Sequence, residues 1–157
     1  MYKRQGLGKT CQVISFISHL KEIGAQGPHL IIVPGSTLEN WAREFRHFSE
    51  QVNFVLYYGL QADRNAMQDD IHAQIAKGEI DVVITTYDLA FKKDDNKFLR
   101  RCQPQMCIYD EGHVLRNSST LRYQSLMKIQ ARCRLLLTGT PLQNSLQELT
   151  SILAFLM

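Results

Sequence analysis

Five short apolar runs, at residues 29–33, 53–58, 81–87, 106–109 and 134–137, set the tightest limit on what this chain can fold into. Each is too short for a typical helix, rich in strand-forming side chains, and close to continuous where a half-solvated strand would alternate. Between them, apolar residues recur at helical spacing: Val13, Ile14, Phe16, Ile17 and Leu20; Leu38, Trp41, Ala42 and Phe45; Ala62, Ala66, Met67, Ile71 and Ile75; Tyr123, Leu126 and Met127; Leu149, Ile152, Leu153 and Leu156. Strands buried on both faces that alternate with amphipathic helices imply a parallel sheet covered by helices on both sides, an α/β fold. Ser36-Thr37-Leu38-Glu39 and Ser145-Leu146-Gln147-Glu148 read as capping boxes, and Asn117-Ser118-Ser119-Thr120 as a turn and cap. The charged stretch 91–96 reads as a solvated loop before a short helix around 98–102. No internal repeat and no low-complexity segment interrupts the pattern.

Asp110 and Glu111 follow the run 106–109 without a break. The carboxyl end of a buried parallel strand lies at the ligand-binding rim of an open sheet, where one acid can hold a metal and its neighbour can orient water. A strand running into a solvated turn would look the same, so the pair gains its meaning from Gly6-Leu7-Gly8-Lys9-Thr10 upstream. Glycines there let backbone N–H groups close around phosphate oxygens, and the helix that follows favours anions at its N-terminus. Lys9 is placed to reach the β and γ phosphates of ATP, and the Thr10 hydroxyl to meet Mg²⁺. Five polar clusters then share one rim: Lys9 with Thr10, Ser36 with Thr37, Thr85 with Thr86, Asp110 with Glu111, and Thr138 with Thr140. The pattern points to phosphate chemistry at a switch point of the sheet and leaves open what hydrolysis would drive. Trp41 reads as a core residue of its helix, and no exposed aromatic platform for splayed bases is expected.

With 157 residues the chain suits one domain, and its net charge of +3 announces no strongly basic stripe for nucleic acid. Cys11, Cys102, Cys107 and Cys133 show no Cys-x-x-Cys spacing, so reduced thiols of an intracellular protein are expected rather than a zinc site. No apolar run approaches the roughly 18 residues of a membrane span, so no membrane association is expected. Met1-Tyr2-Lys3-Arg4-Gln5 resembles translated adapter sequence and is read as a non-native scar at 1–5, with the phosphate-binding unit over 6–157.

These motifs resemble the first RecA-like lobe of superfamily-two helicases, and specifically of the SWI/SNF-type chromatin-remodelling ATPases, in their DEAD/H-box-containing subfamily. Gly6-Leu7-Gly8-Lys9-Thr10 is similar to motif I, the stretch 33–41 to motif Ia and Ile84-Thr85-Thr86-Tyr87 to motif Ib. Asp110-Glu111-Gly112-His113, a DEGH box, is similar to motif II, and the stretch 136–144 to motif III. The resemblance implies a P-loop NTPase lobe in which Gly6, Leu7, Gly8, Lys9 and Thr10 bind ATP. Thr10 and Asp110 would hold Mg²⁺, and Glu111 would act as general base. It implies DNA phosphate contacts at Pro34, Ser36, Thr37, Thr85 and Thr86, although for these hydroxyls helix capping and turn formation fit equally well. His113, Thr138, Gly139 and Thr140 would couple nucleotide state to lobe motion.

The implied parent is a nuclear, DNA-dependent ATPase acting on double-stranded DNA and the histones of nucleosomes. Three departures qualify this. Lys3-Arg4-Gln5 stand where the family carries Asp-Glu-Met, the strand before motif I is not seen, and no second RecA-like lobe follows. The chain therefore reads as an N-terminally truncated lobe, inactive alone. An RNA or DNA helicase lobe and a non-catalytic, nucleotide-gated scaffold are the alternatives.

Overall fold

The computed structural model describes residues 7–139 and 146–157. Five strands, β1 (His29–Val33), β2 (Phe54–Leu56), β3 (Val82–Thr86), β4 (Met106–Tyr109) and β5 (Cys133–Leu136), form one sheet in the order β2-β3-β1-β4-β5. Every pairing is parallel. Three of the five runs are buried throughout, those of β1, β3 and β4, while β2 and β5, at the two edges, are partly exposed. Seven helices accompany them: α1 (Leu7–Glu22), α2 (Leu38–Phe48), α3 (Gln61–Ala76), α4 (Tyr87–Phe91), α5 (Lys93–Arg101), α6 (Leu121–Met127) and α7 (Leu146–Leu156).

Because successive strand residues point to opposite faces, each strand feeds two cores. Ile31 and Val33 of β1, with Met106 and Ile108 of β4, pack against Val13, Ile14 and Ile17 of α1 and Trp41 and Phe45 of α2. Leu30, Ile32, Cys107 and Tyr109 face the other way, onto Ile71, Phe98, Leu99, Tyr123, Leu126 and Phe155 from the remaining helices. The connection leaving β1 thus runs through α2 on one face, and the one leaving β4 through α6 on the opposite face. Adjacent strands whose connections part in this way open a crevice at their carboxyl ends, the switch point of the sheet.

Several local expectations fail for identifiable reasons. The capping box at 36–39 does not form. Gly35–Thr37 is a turn of 3₁₀ helix, α2 starts after Thr37 with no side-chain cap, and the Thr37 hydroxyl donates instead to the Pro34 carbonyl at 3.1 Å. Ser145, the first residue of the second capping box, lies outside the described residues. The stretch 91–96 is no solvated loop, since α4 ends at Phe91 and α5 begins at Lys93. Lys92, Lys93 and Asp94 are exposed, but Asp95 and Asn96 are buried, and Asn96 Nδ2 donates to the carbonyls of Ala90 and Ser125, both at 2.9 Å. On α3, Ala62 and Ala66 face solvent while Arg64 is buried. On α7, Ile152 and Phe155 face inward, and Leu149 and Leu153 are exposed.

Arg64 explains why α3 turns a charged side chain inward. Its Nε and Nη2 each donate to one oxygen of Asp95 at 2.9 Å, with both side chains only 5% exposed, and Nη1 donates to the Gly59 carbonyl. The Tyr57 hydroxyl donates to Asp95 at 2.5 Å and accepts from Gln68 at 2.8 Å. Burial, and then the bond to Asp95, push the Tyr57 hydroxyl up to about 12. This cluster ties β2, α3 and α5 together. A planar guanidinium forked onto a carboxylate satisfies both charges, which is the condition for burying them. Removing one partner strands the other. Asp95→Ala should lower unfolding stability by about 3–5 kcal/mol, seen as a fall in the urea midpoint, and Asp95→Ala with Arg64→Met together should cost less than Asp95→Ala alone.

Candidate functional site

The register of the sheet brings the polar clusters to one rim. Val33 lies beside Thr86 and Ile32 beside Tyr109, which in turn lies beside Leu136, so residues 34–37, 86–87, 110–113 and 137–139 leave the sheet side by side. Asp110 stands first beyond β4, its N–H donating to the Ile32 carbonyl at 2.9 Å, which extends the β1–β4 ladder one step into the crevice.

Among the described residues, three donors hold Asp110. The indole Nε1 of Trp41 donates to Oδ2 at 2.9 Å, the backbone N–H of Glu111 donates to Oδ1 at 2.9 Å, and the Tyr87 hydroxyl donates to the backbone carbonyl at 2.5 Å. Burial, followed by the charges of Asp110 and Glu111, raises Tyr87 well above the ordinary phenol range, so this hydroxyl keeps its proton and stays a donor. Both carboxylate oxygens keep a further lone pair for a ligand. Glu111 is part-exposed, in the left-handed region with φ 53°, and His113 Nδ1 lies 3.6 Å from its Oε2.

Gly112 is fixed by close approach. A β-carbon placed there would fall 2.0 Å from Leu136 Cδ1, and the Gly112 N–H donates to the Leu137 carbonyl at 2.9 Å. The acid-bearing turn is therefore pressed onto the end of β5. Leu7, Gly8, Lys9 and Thr10 form the first turn of α1, while Gly6 lies outside the described residues. Lys9 Nζ reaches the same end of the sheet: a β-carbon on Gly139 would sit 3.1 Å from it. Thr138 and Gly139 are exposed beyond β5, and Thr140 lies outside the described residues.

The two threonines of β3 correct an expectation. Thr85 is wholly buried and its hydroxyl donates to the Tyr57 carbonyl at 2.9 Å. Thr86 is 3% exposed and its hydroxyl accepts from the Leu89 N–H as the cap of α4. Of these hydroxyls, that of Thr86 is used as a helix cap and that of Thr85 on a carbonyl just past β2, and both side chains are buried. Ser36 is exposed and Thr37 half-buried at the crevice mouth, with Pro34 at the base of their turn. Of the exposed aromatic rings Phe16, Phe48 and Tyr58, Tyr58 lies just past β2 at this rim and is 55% exposed.

Trp41 and Tyr87 were legible as buried aromatics but not as site residues. The available signal was chemical: a buried indole N–H or phenol requires an acceptor, and strand-end acids are the nearest class of acceptor on this rim. The donor set of Asp110 and Thr10 is oxygen only, one carboxylate and one hydroxyl. Such a set fits Mg²⁺, which takes few protein ligands and completes its shell with phosphates and water. Among the described residues no group of three His, Cys, Asp or Glu side chains forms a metal cage.

A parallel α/β sheet with paired acids at its switch point and a glycine-lysine-threonine turn opening a helix defines the RecA-like class of nucleotide-binding folds. The SNF2-related domain family matches residues 3–157, and the chain belongs to that family. It is 52% identical over 153 residues to ATP-dependent helicase FUN30 of Saccharomyces cerevisiae, covering 97% of this chain and 13% of that protein. It is 48% identical to the SWI/SNF-related matrix-associated actin-dependent regulator of chromatin subfamily A containing DEAD/H box 1 of Xenopus tropicalis, covering 97% of this chain and 15% of that protein. Among solved structures, the Sulfolobus solfataricus SWI2/SNF2 ATPase core in complex with dsDNA superposes with a TM-score of 0.79 at 29% identity, over 97% of this chain and 30% of that one. The chain thus spans a small part of the relatives it matches.

The buried Thr85 hydroxyl yields a direct test of its structural role. Thr85→Val leaves the Tyr57 carbonyl without its donor and should lower the urea midpoint by the equivalent of about 1 kcal/mol, while Thr85→Ser should stay near the wild type.

Proposed function

We propose that the chain is the ATP-binding first lobe of a DNA-translocating chromatin remodeller that works in the nucleus, coupling ATP hydrolysis to movement of double-stranded DNA on nucleosomes. The observation that carries this reading is the acid pair at the switch point, held by the two segments that follow β1 and β3, in a chain of the SNF2-related family. A relative solved with double-stranded DNA supports the choice of duplex as partner.

In this reading residues 6–10 cradle the phosphates, with Lys9 neutralising charge on the outer phosphates. Thr10 and Asp110 hold Mg²⁺, which when bound supplies charge neutralisation at the transferring phosphoryl group. Glu111 accepts a proton from the attacking water; its left-handed backbone turns its side chain out of the line of the strand. Pro34, Ser36 and Thr37 line the DNA backbone at the crevice mouth, where Ser36 offers a hydroxyl to a phosphate while Thr37 donates to Pro34 and holds the turn, contacts that position the duplex without reading its sequence. His113, Thr138, Gly139 and Thr140 couple the nucleotide to lobe motion, a reading supported by His113 Nδ1 lying 3.6 Å from Glu111 Oε2. Arginine fingers would come from a second lobe.

A strand-separating helicase is the second reading, and exposed Tyr58 is the observation that favours it, since a ring on the rim can stack on an unpaired base. One experiment separates the two. In a two-lobed protein carrying this chain, ATP turnover should rise with duplex DNA of any sequence and fall off as salt increases, with no opening of a forked duplex. Stimulation by RNA instead, or efficient opening of the fork, would move the assignment to the helicase.

The roles of single residues can be tested in the same protein. Glu111→Gln should lower turnover by about 10²-fold or more with nucleotide affinity retained, because size is kept and the base is lost. Lys9→Ala should weaken nucleotide binding itself. Near-normal phosphate release by Glu111→Gln would show that another group activates water.

A further inference from the structure

We propose that Trp41 is a positioning residue for the nucleotide centre: its indole N–H sets the orientation of the Asp110 carboxylate and ties it to the turn at 34–37. The inference deepens the nucleotide-binding reading and rests on it.

Trp41 is 1% exposed, packed beside Phe45 in the core under α1 and α2. Phenylalanine would fill most of that space. What the indole adds is one donor and no acceptor, on a rigid ring with only two side-chain torsions. That donor is spent on Asp110 Oδ2 at 2.9 Å, across 69 residues of sequence. A hydrogen bond to an ionised oxygen is roughly twice as strong as a neutral one, and half-burial of the pair strengthens it further. The ring cannot swivel to follow the carboxylate, because its neighbours on α1, α2 and the sheet enclose it. The position of α2 therefore dictates the position of Oδ2.

The other two anchors of Asp110 come from different places, Oδ1 from the adjacent Glu111 N–H and the backbone carbonyl from Tyr87 at the start of α4. Only Trp41 links the acid's side chain to the helix whose first turn follows Ser36 and Thr37. Trp41 stands four residues past Thr37, about one helical turn or 6 Å further along. A load on the 34–37 turn that shifts α2 along its axis stretches the indole–carboxylate bond and re-aims the lone pairs left for the metal. Conversely, drawing Oδ2 toward a metal pulls on α2. Binding at the turn and metal affinity at the acid are coupled in both directions.

Trp41 is the only tryptophan of the chain, so its indole N–H gives a single, self-assigned signal in a ¹⁵N–¹H spectrum. Asp110→Ala should move that proton upfield through loss of its charged acceptor. In the wild-type chain the signal should move when Mg²⁺ is added with ADP, and not when ADP is added with a chelator. Trp41→Phe should raise the Mg²⁺ concentration for half-maximal ADP binding by about 10-fold, the effect typical of removing an outer partner of a metal ligand, and leave metal-free ADP affinity unchanged in calorimetry. A residue that only filled space would not separate those two affinities.

If the wild-type chain takes up no ADP with or without Mg²⁺, the nucleotide reading falls and the inference with it. If ADP binds and Trp41→Phe leaves its Mg²⁺ dependence unchanged, the role of Trp41 alone is overturned. Should the Phe variant fail to fold, the wild-type signal decides: an indole resonance indifferent to Mg²⁺ in the presence of bound ADP overturns the proposal, and one that moves only with Mg²⁺ upholds it.

Discussion

A carboxylate at the end of a fully buried strand has to be held from several sides, and the hydrogen bonds to Asp110 organise much of this structure. They come from α2, from the start of α4 and from the residue next in sequence. Their convergence depends on the strand order, because β1 lies between β3 and β4 and delivers α2 to one face while β3 delivers Tyr87 from the other side of it. The sheet is less a platform beneath the site than the means by which distant segments reach one carboxyl group. The two cores explain why this arrangement is rigid: the strands carrying it contribute side chains to both faces, so none can shift without disturbing both.

The fold class was open to reading because central parallel strands must be apolar on both faces, and β1, β3 and β4 advertise this in unbroken runs. The acids were legible only in combination, since a strand running into a solvated turn looks the same until the glycine-lysine-threonine segment upstream is set beside it. Polar residues that are satisfied internally were misread. Asp95 and Asn96 look like a solvated loop in sequence, and their partners, Arg64 and the carbonyls of Ala90 and Ser125, are visible only once the chain is folded. The same blindness applied to Thr85 and Thr86, where a hydroxyl on a strand end suits a phosphate, a carbonyl or a helix cap equally well. Trp41 went unread as a site residue because core packing accounted for the ring, and nothing local shows where its one N–H is aimed.

Internal satisfaction of charge has a second instance in Arg134. Its guanidinium donates to the carbonyls of Phe155, Met127 and Ile129 and lies 4.9 Å over the Phe155 ring. Two of those carbonyls close α6 and the third lies in the last turn of α7, so one cation meets the negative ends of two helix dipoles. With the Arg64–Asp95 pair near the opposite edge of the sheet, each flank of the fold is tied by an arginine, Arg64 through a carboxylate and Arg134 through the carbonyls on its two Nη atoms. The site lies between these two fastenings, which leaves the central crevice free for residues chosen for chemistry.

Gly112 and Leu136 make the turn that bears the acids stiff in one direction only. Motion toward β5 drives the backbone into the leucine side chain, where repulsion climbs steeply over tenths of an ångström. At Gly112 itself, motion away meets the gradual loss of the backbone hydrogen bond to Leu137, while Asp110 stays held by its own donors. The restoring force is thus lopsided, that of a door resting against its frame. Thermal fluctuation of such an element has a skewed distribution, and its mean position drifts outward as amplitude grows. Gly112, and Glu111 beside it, can accordingly yield away from β5 more readily than toward it, while Asp110 stays where its donors hold it.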